Sequence, residues 1–171
     1  MEVKYISTHL DGSFSLDVFD CGKQGLNAWL RDHAKDAVAK RTAMVFVLHE
    51  PSSPVVVGYY ALSAHLILAD DLPKRLRRGM PDKLPAALLG KFALDRSLHG
   101  LGVGGHMLFD TYQRVLAASS NVVTRYLIAD AVDEEAAMFY EHYGFVRAPG
   151  FPSMRLVRKV SDIAADLDSC G

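Results

Sequence analysis

LLGKFALDRSLHGLGVGGHML, residues 88–108, decides how the rest of the chain is read. LLGKFALD is apolar enough for a buried strand, HGLGVGG places four glycines in seven residues, and HMLFDTYQRVLAA then has helical spacing. Glycines let backbone N–H groups approach a ligand with no Cβ in the way, and a helix start adds unpaired donors and a positive dipole end. Strand, glycine turn and helix in that order suit a pyrophosphate. The Walker A pattern is excluded because no Gly-Lys-Ser or Gly-Lys-Thr follows, and Gly100, Gly102, Gly104 and Gly105 miss the dinucleotide G-x-G-x-x-G spacing.

A chain of 171 residues, 50% of them hydrophobic, suits one domain with a full core, assigned here to residues 1–160. No apolar segment approaches the ~20 residues of a membrane span, and MEVKYISTHLDG has no basic region followed by an apolar one. A soluble, cytoplasmic protein is expected. Cys21 and Cys170 are far apart and lack ligand spacing, so reduced thiols are expected, with neither a disulfide nor a metal site.

The formal net charge of −1 argues against a protein that coats nucleic acid wholesale. The distribution is uneven, however. Between Lys74 and Lys91 lie Lys74, Arg75, Arg77, Arg78, Lys83 and Lys91 with Asp82 as the only acid. Such a run reads either as a phosphate-binding surface or as a solvated face. The end of the chain carries Asp162, Asp166 and Asp168 and no base, so residues 161–171 read as an acidic tail.

In chain order, Glu2 to Ser7 makes a first strand, and GLNAWLRDHAKDAVAK sets Leu26, Trp29, Leu30, His33, Ala37 and Val38 on one helical stripe. Ala43–Leu48 and Val55–Ala64, separated by HEPSSP, predict an antiparallel hairpin, in which Gly58 marks a bulge or close backbone approach. Prolines 73, 81 and 85 punctuate a short basic helix and an extended loop. Val122–Ala129 is a strand, VDEEAAMFYEH a helix that Gly144 caps, and Phe145–Ala148 and Ser153–Val160 are the last strands.

Arg96 to Gly104 resembles the R-x-x-Q-x-x-G-x-G/A signature of the GCN5-related N-acetyltransferases (GNAT), with His99 where the family usually has Gln or Arg. The resemblance implies a mixed α/β fold, a mostly antiparallel sheet splayed between two parallel strands and flanked by helices, and acetyl-CoA as cosubstrate. AAMFYEHYGF resembles the A-x-x-F-Y-x-x-x-G-F pattern whose tyrosine protonates the departing thiolate, which here is Tyr140; Tyr143 falls on a packing position. The block F-x-C-G-x-x-x-L-x-x-W-L from Phe19 to Leu30 narrows the resemblance to the GNAT toxins of bacterial type II toxin-antitoxin pairs, over about Phe19 to Val157. This implies acetylation of the α-amine of aminoacyl-tRNA, which blocks translation, a ribbon-helix-helix antitoxin as partner, and a homodimer.

The implied site is then specific. Phe92, Ala93 and Leu94 offer backbone to the pantetheine arm as in strand addition. His99, Gly100, Leu101, Gly102, Val103, Gly104 and Gly105 take the phosphates, with Ala136 and Phe139 beside the cofactor and Arg77, Arg78 and Lys91 on the tRNA. Backbone N–H groups near Leu94 face the developing oxyanion. No side chain stands out as general base; His65, Asp95 and His99 are the titratable candidates. Two other readings remain open on the sequence: a small-molecule or peptide N-acetyltransferase, and a non-catalytic acetyl-CoA-binding module.

Overall fold

The computed structural model describes residues 5–149 and 154–170. Its strands are β1 (Ile6–His9), β2 (Met44–His49), β3 (Gly58–Leu68), β4 (Lys83–Leu94), β5 (Tyr126–Ala131), β6 (Val146–Arg147) and β7 (Met154–Lys159). Its helices are α1 (Gln24–Asp32), α2 (Ala34–Ala39), α3 (Lys74–Arg77), α4 (Val103–Ser119), α5 (Glu134–His142) and α6 (Val160–Cys170). The strands form one sheet in the order β1-β2-β3-β4-β5-β7-β6. β1, β2 and β3 pair antiparallel, as do β5, β7 and β6, while β4 and β5 are parallel. The mixed α/β fold with a parallel pair inside a mostly antiparallel sheet is the one expected.

The β4–β5 register runs from Ala86↔Tyr126 to Leu89↔Ala129 and closes there, whereas β4 itself continues to Leu94. From that point β5 pairs only with β7, through Asp130↔Arg155 and Ala131↔Met154.

The chain forms two compact units. The first comprises Met1–Ser63 and Lys91–Thr111. Its core joins Leu26, Leu30 and Ala34 of the α1–α2 arm to Val45, Val47, Tyr59 and Ala93 of the sheet. The second comprises Ala64–Gly90 and Tyr112–Gly171, with Ile67, Leu72, Leu76, Tyr126, Ile128 and Val157 at its centre. There the Tyr126 hydroxyl donates to the Leu76 carbonyl at 2.6 Å, which ties the basic helix α3 to the sheet.

Several elements differ from the sequence expectation. The first strand begins at Ile6, and the expected Glu2 to Lys4 portion lies outside the described residues, as does Ser153. The single helix expected from Gly25 is two, because His33 leaves the helical region at φ −126°. β3 starts later, since the Val57 amide donates to the Leu48 carbonyl and its own carbonyl accepts from Asp95, and it runs on to Leu68 because Ile67 enters the second core. β4 begins at Lys83 and absorbs Pro85, whose carbonyl accepts from the Arg125 amide; a proline near the start of a strand loses little. Within the segment expected as an acidic tail, residues 160–170 form α6, with Val160 and Ile163 buried one turn apart and Asp166 paired with Arg158.

Candidate active site

In the first unit, β4 ends at Leu94, a 3₁₀ turn follows at Arg96–Leu98, and α4 starts at Val103. Gly100 and Gly102 adopt φ of +76° and +79°, and a Cβ built on either meets nothing within 4 Å. Backbone conformation therefore demands glycine here, since a side chain costs ~1–2 kcal/mol in the left-handed region. The open space where those Cβ atoms would stand leaves the amide face clear. Gly104 and Gly105 lie in the first turn of α4, where N–H groups have no intrahelical acceptor. A seventeen-residue helix behind that turn aims its positive dipole end the same way.

Two braces hold the turn. His99 Nε2 donates to the Leu94 carbonyl at 2.7 Å, so the imidazole closes the corner. Asp95 Oδ1 accepts from the Ser97 amide at 3.0 Å and hydroxyl at 2.8 Å, and Asp95 Oδ2 from the Asp20 amide at 3.1 Å. Burial pushes the Asp95 carboxyl up, but these donors outweigh it and hold it below its usual range. Both of these titratable candidates brace the turn.

The FDCG block adds a third brace. Asp20 Oδ1 accepts from the Gly22 amide at 2.8 Å and Asn27 Nδ2 at 2.9 Å, and the Arg96 amide donates to the Asp20 carbonyl at 2.9 Å. Gly22 stands at φ +88° with the Arg96 stem 3.5 Å from where its Cβ would be. Cys21 is a buried free thiol that burial pushes up, hence an unreactive one. The sequence presents this block as a motif; its physical work is to anchor the segment that starts the glycine turn. Gly58 is the expected close approach, because a Cβ there would lie 3.0 Å from Met107 Sδ and 3.2 Å from Leu94 Cδ1.

In the second unit, Asp133 caps α5 by accepting from the Ala136 amide at 2.9 Å. Gly144, at φ +91°, ends it, with the Phe145 amide returning to the Tyr140 carbonyl at 3.1 Å. Tyr140 is buried, packed against Phe139 at 5.5 Å and Phe145 at 5.3 Å between ring centroids. Burial, with added repulsion from the Asp130 carboxylate and the Tyr112 phenol, holds its hydroxyl well above the ordinary phenol value. Tyr140 therefore keeps its proton throughout the physiological range. Tyr143 is half-buried at the helix end against Phe139 and His142.

Beside these lies a cluster that local sequence patterns do not announce. Arg155 on β7 grips Asp130, its directly opposed partner on β5, through Nε at 2.7 Å and Nη2 at 2.8 Å. Its Nη1 donates to His65 Nε2 on β3 at 3.3 Å. Burial, then the Arg155 charge, lowers the His65 pKa, so the ring is neutral, and its one lone-pair nitrogen is already engaged. His65 is thus no free general base. Only strand register brings Asp130 and Arg155 together.

The basic segment forms a cavity of about 570 Å³ lined by Lys74, Arg75, Arg77, Arg78, Asp70 and Asp82 among others. Arg77 pairs with Asp70 at 3.4 Å, and Arg78 is exposed. Arg75, omitted from the sequence-based site, also lines a neighbouring cavity of about 370 Å³ with Arg158 and Lys159. Lys91 belongs to the first unit and is half-buried over the Trp29 ring.

No model of a known protein family matches the sequence. A tRNA-acetylating toxin of Mycobacterium tuberculosis (strain ATCC 25618 / H37Rv) is 34% identical over 134 residues, covering 78% of this chain and 80% of that protein. The chain belongs to the GNAT-type toxin acetyltransferases. AtaT complexed with acetyl-methionyl-tRNAfMet superposes with a TM-score of 0.88 at 27% identity, over 95% of this chain and 99% of that one. A mutant of KacT gives 0.89 at 26%, with the same coverage. Membership makes this chain an acyltransferase. Among the described residues no cluster of histidine, cysteine and carboxylate side chains is arranged to hold a metal, and no helix is long and apolar enough to cross a membrane.

Proposed function

We propose that this chain transfers the acetyl group of acetyl-CoA to the α-amine of an aminoacyl-tRNA and so blocks translation. The likeness to a tRNA-acetylating toxin over more than three quarters of the chain carries this reading. AtaT with acetyl-methionyl-tRNAfMet and AtaTR bound with AcCoA support it.

Acetyl-CoA supplies an activated thioester. The turn from His99 through Gly100, Leu101, Gly102, Val103, Gly104 and Gly105 holds its pyrophosphate, with backbone donors doing the holding. Phe92, Ala93 and Leu94 pair with the pantetheine amides, and N–H groups near Leu94 face the charge that develops on the carbonyl oxygen. Ala136 and Phe139 border the cofactor. Tyr140 returns a proton to the departing thiolate. The acceptor needs no strong base, because an α-amine near ~8, lowered further by the adjacent ester, is largely unprotonated at neutral pH. Arg77, Arg78 and Lys91 take tRNA phosphates. The antitoxin AtaR binds AtaT, and KacTA forms a DNA complex; for this chain a ribbon-helix-helix antitoxin, a homodimer and a cytoplasmic setting belong to the same proposal.

The test is to incubate the purified full chain with acetyl-CoA and bulk charged tRNA, digest the RNA, and identify acetylated aminoacyl-adenosine by mass spectrometry. Free polyamines, amino acids and peptides run in parallel. Acetylation confined to these free amines sinks the proposal.

A further inference from the structure

Lys91 is the least expected cation in the first unit. It sits half-buried on β4, and among the described residues no carboxylate pairs with it. Its Nζ instead lies 5.5 Å from the centroid of the Trp29 ring. Trp29 stacks in turn on Tyr59, at 6.0 Å and only 6° between planes. Tyr59 is fully buried and donates its hydroxyl to the Leu26 carbonyl of α1 at 2.7 Å. Three elements, α1, β3 and β4, thus build one column: Leu26 carbonyl, Tyr59, Trp29, Lys91.

A lysine left free on its flexible stem would sample many rotamers and lose entropy on meeting an anion. The ring quadrupole restrains the ammonium without neutralising it, as a carboxylate would. The Lys91 ammonium is therefore held over the ring, with no carboxylate beside it among the described residues.

Chain direction indicates which anion it meets. The phosphates of the cofactor belong to Gly100–Gly105 and the pantetheine arm with its thioester to Phe92–Leu94, so Lys91, one residue further back along β4, stands past them on the side away from the phosphates. The anion nearest a thioester under attack is on the acceptor: the phosphodiester beside the aminoacylated 3′ nucleotide. We propose that Trp29 is a positioning residue, fixing the Lys91 ammonium at the acceptor end of β4 to take that terminal phosphodiester. This rests on the assignment of Lys91 to RNA made above.

The experiment is a double-mutant cycle in the full chain with Lys91→Met, Trp29→Leu, both together, and Trp29→Phe as the variant that keeps a ring. kcat/KM on aminoacyl-tRNA is followed over a salt series, with acetyl-CoA affinity measured beside it. Lys91→Met should lower the slope of log kcat/KM against log salt by about 0.7, the value for one single-strand phosphate contact. Trp29→Leu should lose part of the same slope, Trp29→Phe should restore most of it, and the double variant should be no worse than Lys91→Met within about twofold. Because Trp29 is the only tryptophan, its emission should also change when an uncharged CCA-ended RNA minihelix binds, and that change should vanish in Lys91→Met.

Equal cost of Trp29→Leu with and without Lys91 overturns the positioning role while leaving the Lys91 assignment standing. An unchanged slope in Lys91→Met removes that assignment and this inference together. A fall in acetyl-CoA affinity in Trp29→Leu with an unaltered slope also overturns it.

Discussion

The glycine turn at Gly100–Gly105 and the helix α5 carry function by opposite means. In the turn the backbone does the work: Gly100 and Gly102 hold left-handed conformations and clear a face of amides, while the one conspicuous side chain, His99, is spent on the Leu94 carbonyl. In α5 the backbone is ordinary, capped by Asp133 and ended by Gly144, and one hydroxyl on Tyr140 carries the chemistry proposed for it. A site built from backbone tolerates side-chain exchange and fails on a Cβ; a site built from one oxygen fails when that oxygen goes.

The sharpest way to break this contrast is Tyr140→Phe. The rings of Phe139 and Phe145 keep their partner, so melting temperature and acetyl-CoA affinity should barely move, while turnover on aminoacyl-tRNA should fall ~10²-fold to ~10⁴-fold, about 2.7–5.5 kcal/mol of barrier. Tyr143→Phe, at the half-buried helix end, should keep nearly full turnover; the reverse outcome would put the acid one turn further along α5. Because Tyr140 is held above the ordinary phenol value, its proton is lost only at still higher pH, so the native rate should show no decline through pH ~10, the usual phenol range.

Gly102→Val comes next. Nothing crowds a Cβ there, so the penalty is conformational. Calorimetry should show acetyl-CoA binding weakened by at least ~10-fold, about 1.4 kcal/mol, in a folded protein. Unchanged affinity would remove the turn from the cofactor site. The smallest effect is expected for His99→Gln, whose amide can also donate to the Leu94 carbonyl: less than the same ~10-fold step. A larger loss would mean that the imidazole itself serves the ligand. Charge reversal at Arg77 and Arg78 falls between these, lowering the salt slope of tRNA acetylation by ~0.9 per phosphate contact without touching acetyl-CoA affinity.

Much of this was legible along the chain because the signals are local. A positive φ favours glycine, so Gly102 and Gly144 show themselves, and 3.6-residue spacing sets Ala136, Phe139, Tyr140 and Tyr143 on one helical stripe, from which the resemblance to the A-x-x-F-Y-x-x-x-G-F pattern singles out Tyr140. Signals that depend on partners distant in sequence were not. His33 breaks a helix that its apolar stripe predicts as continuous. Val160 and Ile163 look too sparse to order an acidic end, until Arg158 pairs with Asp166.

The sequence by itself determined the kind of protein: the glycine turn, the α5 aromatics and the Phe19–Leu30 block resemble family motifs that imply fold, cofactor class and family, and such motifs are readable because the requirements behind them are local. Only the tertiary structure decided what the remaining polar residues do. It spends His99 and Asp95 on bracing, closes His65 with the Arg155–Asp130 pair, and sets Lys91 over Trp29. A titratable side chain takes its role from the charges and donors that meet it. For these residues strand register and helix docking bring those partners from positions far apart in the chain, so no local pattern contains them.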